Sequence, residues 1–194
     1  MGFVLNIRIK MKTIIPLLLL GFVLNAGVHQ DKPAETLLKK KTKLEAVPRT
    51  GLITVEGLSK IGTVGEEGSS FCGVDVASKE LISPNEAKRQ FFISITVRSR
   101  NFGPLQITSV EYDEIDSLIK GIDYLEKLDA SVTKLDSFTA YYTTKDGLVI
   151  ATSNDRRNAQ IYSGGAVCYL SMEDLGRFKK LVQQAKERLD SIRK

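Results

Sequence analysis

Twice along this chain a strand-like alternation gives way to a helical stripe, and that doubled change of period limits the possible folds. Between 90 and 99, Phe91, Ile93, Ile95 and Val97 point one way and Gln90, Phe92, Ser94, Thr96 and Arg98 the other, the period of two of a strand. After a turn at Asn101-Phe102-Gly103-Pro104 and a strand over 105–110, Ile115, Leu118, Ile119, Ile122, Leu125 and Leu128 recur at helical spacing, predicting an amphipathic helix over 113–129. Gly121 weakens that helix by about 1 kcal/mol relative to alanine, which points to a close packing contact there. The second passage runs through strands at 136–144 and 148–153, joined by a two-residue turn at Asp146-Gly147, and at 159–163 and 166–170, joined at Gly164-Gly165. Ser171-Met172-Glu173-Asp174 then opens a final helix in the manner of a capping box, with Leu175, Phe178, Leu181, Val182, Ala185 and Leu189 as its stripe.

The two strand-to-helix junctions can be superimposed. Tyr112-Asp113-Glu114-Ile115 falls on Met172-Glu173-Asp174-Leu175, and Leu118, Ile122 and Leu125 fall on Phe178, Val182 and Ala185. Upstream, 52–55, 61–64 and 71–77 read as short strands and 82–89 as a loop. The expected class is α+β: antiparallel sheet or sheets with two amphipathic helices, arranged as two related strand-strand-strand-helix halves over 51–130 and 135–194. Convergence on an acidic helix start is the alternative to duplication.

The N-terminus reads as an export signal. Arg8, Lys10 and Lys12 precede an apolar run of 11 residues from Ile14 to Leu24, a signal-peptide core and too short for a bilayer span of roughly 20 residues. A small-residue site at Asn25-Ala26-Gly27 suggests cleavage near 26, and Met11 is a second candidate start. Residues 27–50, Lys-rich and holding Pro33 and Pro48, read as a polar tether to a single domain over 51–194. The formal charge of +5 belongs to leader and tether, because residues 51–194 carry 19 basic and 20 acidic side chains. A nearly neutral body gives no general attraction to phosphate backbones. The expected location is periplasmic or secreted, with no span after cleavage. There Cys72 and Cys168 can close one disulfide, or they are two small buried residues on separate strands.

The only histidine, His29, lies in the tether, so the domain cannot build a Ser-His-Asp or Cys-His constellation or a His-rich zinc site. Gly62-Thr63-Val64-Gly65-Glu66-Glu67-Gly68 is glycine-rich but lacks the lysine of a phosphate loop. No cofactor, metal or catalytic residue is expected. Asp113, Glu114 and Asp116 are the densest carboxylates, and acids in a first helical turn offset the helix dipole. The candidate partner-binding residues are the arginines Arg98, Arg100, Arg156 and Arg157, which can converge into an anion patch if the halves are related, and the aromatics Phe92, Tyr141 and Tyr142, expected on the outer sheet face.

The stretch Gly51 to Val64 and the junctions Tyr112-Asp113-Glu114-Ile115 and Tyr169-Leu170-Ser171-Met172-Glu173-Asp174-Leu175 resemble a family of small exported bacterial proteins without an assigned activity. That resemblance implies export and a shared fold. Duplicated strands followed by a helix are also similar in layout to the Whirly family of single-stranded-DNA binders, an implication that the neutral body and the leader weigh against. The function expected is a non-catalytic exported domain that binds a protein or an envelope component through its sheet face. The alternatives are a hydrolase working with carboxylates alone and a single-stranded nucleic-acid binder.

Overall fold

The computed structural model describes residues 53–65, 72–99, 105–155 and 157–194. The leader (1–26), the tether (27–50), Arg100 and Arg156 lie outside the described residues. Strands β1 (Val55–Gly65), β2 (Gly73–Ser83), β3 (Lys88–Arg98) and β4 (Leu105–Glu111) form one antiparallel sheet in that order. Helix α1 (Ile115–Lys127) follows. Strands β5 (Thr139–Thr143), β6 (Val149–Ser153), β7 (Asn158–Ser163) and β8 (Ala166–Ser171) form the second antiparallel sheet, again in sequence order, and α2 (Met172–Ile192) closes the chain. The class is α+β, and each half carries four strands before its helix.

Register decides where the strands run. The two short strands expected at 52–55 and 61–64 are one strand, kinked by a bulge between Lys60 and Gly62, because an extra residue bends an edge strand without ending its ladder. The loop expected at 82–89 is mostly sheet. Ile82 and Ser83 pair with Arg89 and Lys88, and only a 3-10 turn at Pro84–Glu86 interrupts the chain. The Asp146-Gly147 turn is one residue wider than expected. Thr144 N donates to Leu148 O at 2.9 Å and Leu148 N to Thr144 Oγ1 at 3.0 Å, closing a loop of Lys145, Asp146 and Gly147 with Gly147 in the left-handed region. The strand expected from 136 begins at Thr139, and before it Asp129 caps a 3-10 turn at Ala130–Val132.

The helices cross between the halves. α2 packs chiefly on β1, β2 and β3 of the first sheet, with a smaller contact to β7 and β8 of its own, and α1 packs on β5 and β6 of the second. Ser78 Oγ on β2 donates to the carbonyl of Ala185 on α2 at 2.9 Å. Gly121 on α1 lies against the ring of Tyr142 on β5, in the space a side chain would need. Lys179 on α2 bridges Asp123 at 2.7 Å and Glu126 at 2.5 Å on α1. Ile115, Leu118, Ile122 and Leu125 meet Leu175, Phe178, Val182, Ala185 and Leu189 in one continuous core with the inward positions of both sheets. Such burial supplies the dominant favourable term. The second helix starts as read, with Asp174 N donating to Ser171 Oγ at 3.0 Å. The first, expected from 113, starts at Ile115 after a 3-10 turn at Tyr112–Glu114, and Ile115 and Leu175 are both fully buried.

A disulfide joins Cys72, just before β2, to Cys168 on β8, with their Cα atoms 5.1 Å apart. Beside it, Tyr169 N donates to Cys72 Sγ at 3.2 Å and Val167 N to Ser99 Oγ at 2.8 Å. These bonds occupy part of the outer edge of β8, which would otherwise offer unpaired backbone groups.

Candidate functional site: the outer face of the second sheet

Alternation assigns each residue of the second sheet to a face. Ile150, Thr152, Ala159, Ile161, Cys168 and Leu170 point into the core and are buried. The outward positions are Thr139, Tyr141 and Thr143 on β5, Val149, Ala151 and Ser153 on β6, Asn158, Gln160 and Tyr162 on β7, and Val167, Tyr169 and Ser171 on β8. None of these twelve carries a charge. The outer face of the first sheet is different: Glu56 pairs with Lys79 at 2.6 Å and Asp75 with Arg98 at 3.3 Å. Charged cross-strand pairs are the ordinary way of keeping a sheet face in water, and the second sheet does without them.

Three tyrosines organise this face. Tyr141, Ala151, Gln160 and Tyr169 stand side by side in one row across all four strands. Tyr162 sits in the next row, between Val149 and Val167, and its hydroxyl donates to Gln160 Oε1. Burial raises the Tyr162 phenol above its usual pKa, and the neighbouring Tyr169 and Tyr141 phenols raise it further. The three rings therefore share one neighbourhood, and Tyr162 stays protonated at physiological pH. Tyr141 is 66 % exposed and Tyr169 58 %, while Ala151 between the strands is covered. Exposed tyrosines around a small residue make a surface on which a flat ligand can stack.

The sequence-based candidates scatter. Tyr141 belongs to this face. Tyr142 does not: it points inward onto Gly121, and its hydroxyl donates to Ser117 Oγ at 3.1 Å. Phe92 is only 5 % exposed. It sits on a central strand with Lys79 and Glu111 as its register partners, so it offers no stacking ring to solvent. Arg98 ends β3 in its ion pair with Asp75. The residue after it, Ser99, meets Val167 at one end of β8, whereas Arg157 precedes Asn158, which faces Ser171 at the other end. The described arginines Arg98 and Arg157 thus do not converge. Tyr162 and Tyr169 were missed, although alternation through Asn158-Gln160-Tyr162 and Val167-Tyr169-Ser171 carried the signal.

The acidic cluster is a structural clamp. Lys145 in the β5–β6 loop reaches Glu111 at 3.4 Å and Asp113 at 3.3 Å, and its backbone N–H donates to Glu114 Oε1 at 2.8 Å. Burial raises the Glu114 pKa despite that bond. These carboxylates are neighbours in the chain, Glu111 at the end of β4 and Asp113 and Glu114 in the 3-10 turn that follows, whereas an acid/base pair for glycoside hydrolysis faces across a cleft. Glu111 and Asp113 line one side of a cleft of about 220 Å³ together with Arg89, Phe91 and Arg193, with the Arg193 guanidinium 3.6 Å over the Tyr112 ring. Among the described residues no three His, Cys, Asp or Glu side chains gather to hold a metal ion, and no helix is long and apolar enough to cross a membrane.

Comparison of this chain with known protein families, with characterised proteins and with solved structures finds no match.

Proposed function

We propose that this protein is an exported, non-catalytic binding domain whose binding surface is the outer face of β5–β8. The observation that carries the reading is the row from Tyr141 to Tyr169 on a face without charge. A solvent-facing patch with exposed aromatic rings and no charged residues is unusual for a domain that meets only water. The disulfide between Cys72 and Cys168 is compatible with an oxidising, extracytoplasmic compartment and so supports the export read from the leader. The partner is a component of the cell envelope or of the extracellular surroundings.

A second reading, single-stranded nucleic-acid binding, draws on the same tyrosines, since bases stack on exposed aromatic rings. It is disfavoured because such binders pair their stacking rings with cations for the backbone, and this face has none.

Co-sedimentation of the protein with washed envelopes from its own host tests the proposal. The wild type is expected in the pellet and the Tyr141→Ala/Tyr169→Ala variant in the supernatant. Equal partitioning of the two would rule out the face. Intact mass of the protein recovered from the host tests export: a chain lacking about the first 26 residues supports it, and a full-length mass with two free thiols contradicts it.

A further inference from the structure

The side chains around the three rings identify the kind of ligand, and this step rests on the binding-face reading above. We infer that the outer face of the second sheet takes an uncharged polysaccharide chain. A sugar ring offers two things to a protein: a face of C–H groups that packs against an aromatic ring, and a rim of hydroxyls that needs neutral donors and acceptors. The twelve outward positions supply both. Tyr141, Tyr162 and Tyr169 provide the rings, and the six polar positions all end in hydroxyls or carboxamides, with Gln160 lying in the tyrosine row itself.

Charge complementarity sets the charged ligand classes aside. A nucleic acid or an acidic peptide would find no cation on the face, and a basic peptide no anion. A purely apolar partner would strand the hydroxyl and amide groups away from water, each at a cost. Size follows from strand geometry. Tyr141 on β5 and Tyr169 on β8 are three strand spacings apart, roughly 14 Å, which is wider than one sugar ring. The face therefore holds successive units of a polymer, and monosaccharides compete for it poorly.

The test is affinity electrophoresis of the full chain through gels containing, in turn, hydroxyethylcellulose, glucomannan, mixed-linkage β-glucan, glycol chitin and dextran. A thymidine oligonucleotide and polyglutamate serve as charged comparators. Retardation in at least one neutral gel is expected, unchanged in about 0.5 M NaCl because no exposed charge contributes. Tyr169→Ala weakens it about tenfold or more, as loss of a stacking ring does elsewhere. Tyr169→Phe keeps the ring and retains binding to within about threefold, which separates stacking from misfolding. Passage through every neutral gel without retardation overturns the inference, and so does salt-sensitive retardation by either comparator. If the neutral gels fail while the alanine variants still lose the envelope pellet, the ligand class is wrong and the face stands. If the variants also pellet normally, both fall.

Discussion

Gly121 on α1 lies flat against the ring of Tyr142 on β5, leaving no room between helix and sheet for even a methyl group. Alanine is the better helix former by about 1 kcal/mol, so a solvent-facing Gly121→Ala would stabilise. Here overpacking outweighs propensity. Gly121→Ala is expected to destabilise the domain by about 1–3 kcal/mol, read as a lower urea midpoint. A midpoint that rises would mean the ring moves aside freely.

The crossing helices give a second expectation. α2 lies mainly on the first sheet and only in part on β7 and β8 of its own, and α1 lies on the second sheet, so the core of each half is completed by the other. The segments 51–130 and 135–194, produced separately, should lack a cooperative unfolding transition. Either one unfolding cooperatively alone would contradict the interlocked core.

The disulfide closes a loop of sequence separation 96, worth on the order of 4 kcal/mol in the chain-entropy account. Cys168 is fully buried, so alanine is the better replacement there, because a serine hydroxyl would need a partner. The Cys72→Ser/Cys168→Ala variant is expected to melt roughly 10–20 °C lower. A melting temperature within a few degrees of wild type would show that the tie adds little.

Glu114 sets a pH dependence. Burial holds its pKa above the ordinary carboxylate value, and Oε2 finds no partner among the described residues. The folded state therefore binds this proton more readily than the unfolded chain. The contribution to stability is full below the unfolded pKa and is lost as pH rises through the folded one. Glu114→Gln keeps an oxygen for the Lys145 N–H and cannot ionise. Relative to wild type, the variant should gain stability as pH rises from about 4 to 7. A difference that stays flat, or runs the other way, would place Glu114 in a well-solvated setting.

Much of this architecture is legible in the residues. The alternation at 90–99 and the stripes at 115–125 and 175–189 locate β3, α1 and α2, because burial on one face imposes a period that survives in the sequence. Gly121 announces its contact by being a poor helix former. What escapes is set at long range. Residues 82–83 and 88–89 look like loop until their ladder partners are known, and nothing local shows that each helix crosses to the other sheet. The site is legible only in part. Tyr141 and Tyr142 are neighbours, and only the register sends one to solvent and the other onto Gly121. Tyr162 and Tyr169 lie seven residues apart, and pairing alone brings them beside Tyr141.

The most direct test of the binding face is tyrosine nitration, read residue by residue by peptide mass, with and without host envelopes. Tyr124 on α1 is 62 % exposed, comparable to Tyr141 and Tyr169, and serves as the internal control. Envelopes are expected to protect Tyr141 and Tyr169 while Tyr124 reacts at its unbound rate. Unchanged reactivity of Tyr141 and Tyr169, or protection of Tyr124 alone, would contradict the assignment of the second sheet as the surface that binds.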